Sequence, residues 1–337
     1  MPAMTQTDVS PVAAPARNGL NAEQIAHACK ALGDPLRLAI VQLLGRGSFG
    51  VLELCELLDI KQSSMSHHLK ILAQARLVSN QREGNSIFYR RPLLASHDRW
   101  TQWLATTLAT LDALNDPQDN VVEQRLQQVL ANRAAACAEF FARNAAAFKQ
   151  QQDLIASYDQ YGEPLERLIT TMDTPTRRAL EIGPGEGAFL PALARRFDQV
   201  LALDISAPML QKAQQRIDQQ PLDNVSCQLG DSSAITESHR HQFDLVVANM
   251  VLHHVPAPKT IFADVARLLT DDGCFLVTDL CRHQQAWARE SCGDLWLGFE
   301  PDDLTAWAVE SGLNEGQSQY LGLRNGFQIQ FRLFYRA

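Results

Sequence analysis

The sequence predicts a multidomain protein in which an α+β winged helix-turn-helix module precedes a doubly wound, Rossmann-like α/β module. Its 337 residues are about twice the ~150 that one ordinary domain needs. Before residue 92, short helical patterns end in an alternating apolar stretch typical of a β-hairpin. After about residue 178, strand-like apolar runs alternate with helical ones, which indicates a parallel sheet covered by helices on both faces.

Composition indicates a globular protein. Hydrophobic residues make up 46% and charged residues 20% of the chain, proportions that exclude a disordered chain. No apolar run approaches the ~18 residues that span a bilayer, and no basic segment followed by an apolar core stands at the N-terminus. We therefore expect a cytoplasmic protein without a membrane partner, whose 7 cysteines are reduced.

The net charge of -8 is unevenly distributed along the chain. Residues 20–100 carry 10 Lys+Arg and 7 Asp+Glu, whereas residues 101–337 carry 19 and 30. A change of sign between two parts of a chain suggests different partners for them. Only the N-terminal part is expected to contact phosphate.

The patterns divide the chain into four segments. Residues 1–19 are rich in Pro, Ala, Ser and Thr and are expected to form a disordered tail. The winged helix-turn-helix is expected over 20–115 and a helical connector and cap over 116–175. The α/β domain is expected over 176–337. Helical spacing predicts one helix over about 97–115, ended by Asp116-Pro117, and a longer one over 119–150.

The N-terminal module contains a helix with an unusual polar face. Asp34-Pro35 begins an earlier helix, and after it Met65, Leu69 and Leu72 share one buried face of a further helix. The residues left outward on that helix are Gln62, Ser63, Ser64, Ser66, His67, His68 and Lys70. Amides, hydroxyls and imidazoles on one face suit hydrogen bonding to base edges and phosphates, although a solvated surface helix has the same pattern. Two strands follow around the turn Glu83-Gly84-Asn85.

The N-terminal module resembles the ArsR family of bacterial repressors over roughly residues 22–112. The resemblance rests on Ala31 to Arg37, Gln62 to Leu72 and the wing from Arg82 to Arg90. It implies a homodimer formed through flanking helices, including the Trp100 to Leu114 helix. It also implies a double-stranded DNA operator with an inverted repeat, contacted by the polar helix and by Arg82 and Arg90.

No metal site is expected. Metal-sensing members of that family carry two thiolates two residues apart, because soft metals need several sulfur ligands. Here Cys55 remains but Leu57 occupies the second position. His67 and His68 are adjacent, so their side chains diverge on a helix, and the family uses this position for DNA.

A glycine-rich turn follows the first strand of the C-terminal module. Glu181 precedes Gly183, Gly185 and Gly187, and such glycines let the backbone approach a ligand at a helix N-terminus. The even spacing differs from that of the usual nicotinamide turn. Asp204 ends the next strand, where an acidic residue can accept hydrogen bonds from both ribose hydroxyls.

This combination resembles the class I S-adenosylmethionine-dependent methyltransferases over roughly residues 125–337. The resemblance implies S-adenosylmethionine or S-adenosylhomocysteine as cofactor and no metal. Glu181 and the three glycines would serve the methionine part, and Asp204 the ribose, with Ile205 and Met209 in the same site. Gly230, Asp231 and Ser232 would lie at the adenine, and Asn249 would face the sulfonium. Taken alone, Asp231 and Asn249 are also ordinary strand-end residues.

The methyl acceptor is less visible in the sequence. Asn249 is not followed by the Pro-Pro-Tyr of enzymes that methylate planar amines, which disfavours adenine and glutamine nitrogen. Val251 to Val255 looks like small-molecule methyltransferases, including those of quinone and arsenic metabolism, and His253 or His254 is a candidate general base or a turn residue. Arsenic methylation needs converging thiols, and no Cys-x-x-Cys is present. Residues 293–299 are expected to roof the acceptor pocket or to pack as a lid.

Two functions remain open from the sequence. In one, the fused domain is a working methyltransferase with a small-molecule acceptor. In the other, it senses S-adenosylmethionine or S-adenosylhomocysteine as an effector and transmits occupancy to the DNA-binding dimer through the helices at 97–150.

Overall fold

A computed structural model describes residues 21–83, 86–94, 98–114, 119–144 and 148–336. The expected tail at 1–19, the turn residues Gly84 and Asn85, and Asp116-Pro117 lie outside these residues. Within the described part of the chain, no helix combines the length and the apolar character needed to cross a membrane.

The N-terminal unit is a helix-turn-helix with a small antiparallel sheet. Its elements are α1 (Ala22–Leu32), α2 (Pro35–Arg46), β1 (Phe49–Gly50), α3 (Val51–Leu58), α4 (Gln62–Gln74), β2 (Ser79–Glu83), β3 (Ser86–Arg90) and α5 (Arg99–Asp112). The strand order is β1-β3-β2, so β2 and β3 form the predicted hairpin. The short β1 carries no sequence signal of its own and forms only because it pairs with β3.

Local sequence explains how α2 and α4 form. The Asp34 side chain accepts a hydrogen bond of 3.0 Å from the backbone N–H of Arg37, and Pro35 occupies the first turn of α2, as predicted. On α4, Met65, Leu69 and Leu72 are fully buried, which confirms the predicted apolar face. Burial of such a face against neighbouring helices stabilises the unit.

Two helices connect the units, whereas the sequence predicts a single helix over 119–150. They are α6 (Asp119–Asn144) and α7 (Phe148–Ile155). Leu126 and Val129 of α6 are buried in the core of the N-terminal unit, so this helix is part of that unit as well as a connector.

The C-terminal unit contains a seven-stranded sheet. Its elements are α8 (Tyr158–Thr171), β4 (Arg178–Ile182), α9 (Leu190–Arg196), β5 (Gln199–Asp204), α10 (Ala207–Gln219), β6 (Val225–Leu229), α11 (Ser232–Ile235), β7 (Phe243–Asn249), α12 (Pro258–Leu268), β8 (Leu269–Leu280), α13 (Trp287–Cys292), α14 (Pro301–Glu310), β9 (Leu313–Gly322) and β10 (Gln328–Arg336). A single 3₁₀ turn covers Leu252–His254.

The sheet confirms the predicted fold class. Its strand order is β6-β5-β4-β7-β8-β10-β9, and β4 to β8 pair in parallel. The last strand in sequence, β10, runs antiparallel to both β8 and β9. A mostly parallel seven-stranded sheet of this kind is typical of class I methyltransferases. Buried apolar clusters cover both of its faces, and the carboxyl ends of β4, β5 and β7 open onto one cavity.

The hairpin of the N-terminal unit packs against the C-terminal unit. Glu83, at the end of β2, is fully buried and forms an ion pair with Arg282. A Glu83 carboxylate oxygen also accepts a hydrogen bond of 2.7 Å from the backbone N–H of Leu297. The aromatic rings of Phe88 and Trp296 meet edge to face, with centroids 5.1 Å apart. The wing is therefore held on the second unit by buried polar and aromatic contacts.

Candidate functional site

A cavity of about 810 Å³ lies at the carboxyl ends of the parallel strands. Cavities of this size at the carboxyl edge of an α/β sheet are the usual sites for cofactors and small substrates. Its walls come from the glycine-rich turn, the ends of β5 and β7, the loop after the 3₁₀ turn, and helices α6 and α8.

The glycine-rich turn brings backbone to the cavity wall. Gly183 and Gly185 have φ of +65° and +57° and both line the cavity. A Cβ on Gly183 would lie 2.4 Å from a methyl carbon of Val251, so only glycine fits there. Gly187 does not line the cavity. It has φ of +75°, and a Cβ there would lie 2.9 Å from Leu190, so it serves helix packing, and its approach to the cofactor stays a prediction.

Asp204 ends β5 with its carboxylate at the cavity wall. One carboxylate oxygen accepts a hydrogen bond of 2.8 Å from the backbone N–H of Ser206. Burial raises the pKa of Asp204 to about 6, although hydrogen bonds from backbone amides, including those of Ser206 and Gly185, oppose this. Ile205 and Met209 line the same stretch of wall. This placement suits a carboxylate that accepts hydrogen bonds from a diol.

Asp231 lines the cavity and caps a helix at the same time. It accepts hydrogen bonds from the backbone N–H of Ala234 at 2.9 Å and from the Ser233 hydroxyl at 2.7 Å. The Ser232 hydroxyl donates to Asp264 at 2.6 Å. Gly230 and Ser232 also line the cavity. The two interpretations of Asp231, strand-end cap and cavity residue, are thus both consistent with its position.

Glu181 lies beneath the cavity rather than in its wall. It is fully buried, and burial raises its pKa to about 8 while a hydrogen bond from Asn249 opposes the shift. The Asn249 side chain also hydrogen-bonds Tyr161, and both residues line the cavity. Among the described residues, the side-chain oxygen of Asn249 has no hydrogen-bond partner. Glu181 therefore orients Asn249, whose side-chain oxygen is buried without a hydrogen-bond partner in this part of the chain.

The structure separates the two adjacent histidines. His253 is fully buried and is not among the residues that line the cavity, so of the two candidate general bases His254 is the one at the wall. Its Nδ1 lies 2.7 Å from Asp279. Burial lowers its pKa, but the carboxylates of Asp279 and Asp294 outweigh burial and raise it to about 9.

His254 lines the cavity. Its Nε2 lies 3.0 Å from the side-chain nitrogen of Gln152, and its Nδ1 lies 3.2 Å from the carbonyl oxygen of Gly293. Burial, aided by the nearby positive charge of His253, lowers the pKa of His254 well below its ordinary value. The imidazole is therefore neutral at physiological pH.

The cavity does not bring thiols together. Cys137 is the one cysteine among its described lining residues. Burial raises the pKa of Cys137 to about 12, and its thiol donates to the carbonyl oxygen of His254 at 3.3 Å. A single protonated thiol does not suit arsenic binding.

Several cavity residues were not foreseen from the sequence. Helix α6 contributes Gln127, Leu130, Ala131, Ala134 and Cys137, and the following helices contribute Gln152, Asp153, Tyr158 and Tyr161. The one available sequence signal was the pair Tyr158 and Tyr161, three residues apart at the start of α8. No local pattern indicates that α6 reaches this cavity.

Residues 293–299 are not among those that line this cavity, which favours the packing alternative over a roof. The backbone N–H groups of Leu295 and Trp296 donate to the carbonyl oxygen of His253 at 2.9 and 3.1 Å, and Leu297 bonds the wing through Glu83. The segment therefore links the 3₁₀ turn to the wing.

The predicted DNA-contacting face of α4 is largely exposed. Gln62, Ser63, Ser64, Ser66, His67 and Lys70 are all exposed. His68 differs, because its side chain is only 15% exposed and its Nδ1 lies 4.0 Å from Asp34. The prediction that His68 points outward is wrong, since its ring packs toward the start of α2.

The two arginines of the wing have different environments. Arg82 is exposed and its carbonyl oxygen accepts a hydrogen bond from Arg282. Arg90 instead forms an ion pair with the buried Asp303 of the C-terminal unit. The guanidinium of Arg90 is thus engaged within the protein, and its DNA contact stays a prediction.

Comparisons with known proteins agree with the two units. A methyltransferase domain family matches residues 180–277, and a helix-turn-helix domain family matches residues 32–79. The chain is 33% identical over 171 residues to an uncharacterized methyltransferase of Mycobacterium tuberculosis, which covers 48% of this chain and 85% of that protein. It is 26% identical over 170 residues to the ubiquinone biosynthesis O-methyltransferase of Methylococcus capsulatus, covering 47% of this chain and 71% of that protein. Among solved structures, the YcgJ protein from Bacillus subtilis has a TM-score of 0.44 at 16% identity, covering 52% of this chain and 99% of that chain.

Proposed function

Since the chain belongs to the methyltransferase family through its C-terminal half and carries a helix-turn-helix DNA-binding domain before it, we propose that it is a homodimeric transcriptional regulator. Its methyltransferase domain binds S-adenosylmethionine and methylates a small molecule. Binding at the cavity changes the affinity of the dimer for its operator.

The cavity fits the cofactor. Gly183 and Gly185 line the cavity with positive φ, and we expect the backbone of this turn to approach the methionine part of the cofactor. Asp204 and Asp231 both line the cavity, and we expect Asp204 to accept hydrogen bonds from the ribose hydroxyls and Asp231 to lie at the adenine. Within the described ranges the side-chain oxygen of Asn249 has no partner, and such an oxygen suits a ligand with positive charge or N–H donors. When bound, S-adenosylmethionine supplies an electrophilic methyl group, and the residues of the chain position the acceptor for an in-line displacement.

His254 is the residue best placed to take a proton from an acceptor hydroxyl. It lines the cavity and burial keeps it neutral, as a general base requires. The side-chain amide of Gln152 forms a hydrogen bond with Nε2 of His254 and thereby orients the ring. One relative is an O-methyltransferase, and this similarity supports a hydroxyl acceptor. Methylation of arsenic is not supported, because Cys137 is the one described thiol at the wall.

The proposed coupling rests on one observation, which is that helix α6 packs in both units. Its residues Leu126 and Val129 are buried in the core of the helix-turn-helix unit. Its residues Leu130, Ala134 and Cys137 line the cavity of the methyltransferase unit. A ligand that displaces or holds α6 therefore acts on both units, and it shifts DNA affinity if it binds two arrangements of this helix unequally.

A second candidate function is a sensor without catalysis. The same helix favours it, because transmission through α6 requires occupancy of the cavity but no methyl transfer. In this case S-adenosylmethionine or S-adenosylhomocysteine acts only as an effector.

The DNA partner and the dimer are proposed from the N-terminal unit. The exposed face of α4 suits an inverted-repeat DNA operator bound by a twofold dimer. On α5, Trp100 and Trp103 are stacked with ring centroids 5.2 Å apart and are only half-buried. Large aromatic side chains left partly uncovered are enriched at subunit interfaces, which supports dimerisation through this helix.

The test is a turnover assay with the full chain. The protein is incubated with S-adenosylmethionine and catechol as a small hydroxyl acceptor, and S-adenosylhomocysteine and methylated product are measured together. Product formation that disappears in His254→Gln but persists in His239→Gln supports the enzyme. Cofactor binding by calorimetry, without product from catechol or a panel of other phenols, supports the sensor. Absence of cofactor binding contradicts both.

A further inference from the structure

Three buried side chains converge behind the cavity wall. His253 and His254 come from the 3₁₀ turn, and Asp294 follows α13. One candidate ligand atom from each lies within 4.8 Å of the other two, and the three residues are at most 4% exposed. This cluster shares His254 with the proposed methyl transfer, and an ion bound at its Nδ1 would prevent His254 from acting as a general base, so the two roles exclude each other in one molecule.

His253 and Asp294 hold buried polar atoms that lack ordinary partners among the described residues. Among the described residues, Nε2 of His253 and both carboxylate oxygens of Asp294 make no hydrogen bond. The nearest Asp294 oxygen lies 3.9 Å from His253 Nε2 and 3.7 Å from His254 Nδ1, which is too long for a hydrogen bond. A buried carboxylate without hydrogen bonds is costly, so the geometry calls for a further partner between these atoms.

Residues around His253 fix the direction of its ring. Its Nδ1 lies 2.7 Å from Asp279 Oδ1, and the other oxygen of Asp279 accepts a hydrogen bond of 2.9 Å from the backbone N–H of Leu252. Nε2 is thereby turned toward Asp294. A carboxylate that holds the far nitrogen of a histidine is the usual outer-shell arrangement at metal sites, where it orients the ring and increases its basicity.

We propose that His253 Nε2, His254 Nδ1 and a carboxylate oxygen of Asp294 bind a divalent cation of the zinc class. Two imidazoles and one carboxylate are a common ligand set for such ions, with bonds of about 2.0–2.2 Å and a fourth position open to water. Ligand atoms around a tetrahedral ion then lie about 3.3 Å apart. The observed distances of 3.7 and 3.9 Å need to close by only a fraction of an ångström.

The contacts of His254 are compatible with this role in one tautomer. Binding through Nδ1 places the proton on Nε2, and the side-chain amide of Gln152, 3.0 Å away, then presents its oxygen to that proton. The carbonyl oxygen of Gly293, 3.2 Å from Nδ1, lies beside the ion. The competing arrangement has no metal, and a protonated His253 lies between Asp279 and Asp294.

The ion would join two segments that matter for the proposed coupling. The loop after His254 lines the cavity, and the segment after Asp294 bonds the wing through Leu297. Crosslinking them would fix the cavity wall relative to the wing. This site lies in the methyltransferase unit, away from Cys55, and it departs from the sequence-based expectation that the chain binds no metal.

The test uses the full chain, stripped with EDTA and titrated with Zn²⁺ at pH 8 against a chromophoric chelator. We expect one equivalent to bind with submicromolar affinity. Asp294→Asn keeps the shape of the side chain but removes its charge, and should weaken binding at least about a hundredfold. Asp279→Asn should weaken it about 10–100-fold. His27→Gln, on the exposed surface of α1, is the matched control and should have no effect, as should Cys55→Ser.

Substitution with Co²⁺ provides a measurement on the unaltered protein. Nitrogen and oxygen ligands should give the visible bands of four- or five-coordinate Co²⁺ without the intense near-ultraviolet band of thiolate ligation. The proposal is overturned by failure of the wild-type chain to retain Zn²⁺, by a thiolate band, or by unchanged affinity in a folded Asp294→Asn variant. If Asp294→Asn does not fold, the Asp279→Asn result and the Co²⁺ spectrum decide.

Discussion

Arg133 of α6 donates a hydrogen bond of 2.9 Å to the carbonyl oxygen of Pro256, in the loop that lines the cavity. The same guanidinium binds both carboxylate oxygens of Glu53 in the helix-turn-helix unit, at 2.7 and 2.5 Å. It also donates a hydrogen bond of 3.0 Å to the carbonyl oxygen of Ser48. One side chain thus joins the DNA-binding unit to the wall of the candidate cofactor site, and a bidentate arginine is a rigid way to do so.

Arg133→Ala should reduce the coupling between the two ligands. We expect the effect of S-adenosylhomocysteine on operator affinity to fall at least severalfold, because the cavity loop and α3 are no longer held together. Loss of the charge-assisted bonds should also lower the free energy of unfolding by about 1.5–3 kcal/mol. Fluorescence anisotropy on labelled operator, with and without the ligand, measures the coupling.

Arg125→Ala is the matched control for that experiment. Arg125 lies on the same helix, and among the described residues its hydrogen bonds go to Leu57 and Asp59 on the helix-turn-helix side. It should leave the coupling intact. An equal loss of coupling in Arg133→Ala and Arg125→Ala would contradict the role assigned to Arg133.

Asp204→Ala should weaken cofactor binding about ten- to hundredfold while leaving the unliganded affinity for DNA nearly unchanged. Losing the charge-assisted hydrogen bonds to the ribose costs about 1.5–3 kcal/mol, or roughly ten- to hundredfold in affinity. Calorimetry with S-adenosylhomocysteine measures the effect. Asp218→Ala, on α10 and not among the described cavity-lining residues, is the control, and wild-type affinity in Asp204→Ala would remove Asp204 from the site.

Cofactor affinity should fall as the pH decreases through about 6. The pKa of Asp204 is raised to about 6 in the unliganded protein by burial, and only the ionised carboxylate accepts from both ribose hydroxyls. Binding should therefore be strongest above pH 7 and weaken by up to about tenfold per pH unit below 6. Asp204→Asn should bind weakly and without this dependence, whereas Glu181→Gln should retain it.

DNA contacts should separate into two classes. Lys70→Ala or Arg82→Ala should weaken binding to all sequences and reduce the salt slope by about one unit, because these cations are expected at phosphates. Ser66→Ala or His67→Ala should cost about 1–3 kcal/mol on the operator with little change on random DNA. Titrations of both duplexes at several salt concentrations measure this, and one profile for all four variants would refute the placement of α4 in the groove.

Arg90→Ala should affect stability rather than DNA binding. Arg90 pairs with Asp303, which is 1% exposed, and its removal leaves that carboxylate buried without its cation. We expect a loss of about 1.5–3 kcal/mol in the free energy of unfolding and an unchanged salt slope for DNA. A reduced salt slope at unchanged stability would show instead that Arg90 contacts a DNA phosphate.

Local patterns were sufficient for much of the fold. The spacing of Met65, Leu69 and Leu72 predicted the buried face of α4, because a helix places residues three and four apart on one side. The glycine-rich turn and Asp204 were predicted together, since the carboxyl ends of neighbouring parallel strands meet at one edge of the sheet. These signals depend only on residues close together in sequence.

The features that were not foreseen are contacts between distant parts of the chain. Arg90 and Asp303 are 213 positions apart, and no local pattern predicts that the wing docks on the second unit. His253 and His254 are adjacent and chemically identical. Their pKa values diverge only because Asp279 and Asp294 surround the first, while burial beside that charged ring dominates the second. The role of α6 in both units likewise depends on tertiary packing.

The most direct test of the account is the operator affinity of the full chain with and without saturating S-adenosylhomocysteine, at fixed salt. The structure places one helix in both the DNA-binding core and the cavity wall, and coupling between two such sites is typically 1–3 kcal/mol. We predict a change of about 5–150-fold in the dissociation constant for DNA, and a smaller change in Asp204→Ala at the same ligand concentration. An identical DNA affinity in the presence and absence of a ligand that calorimetry shows to be bound would contradict it.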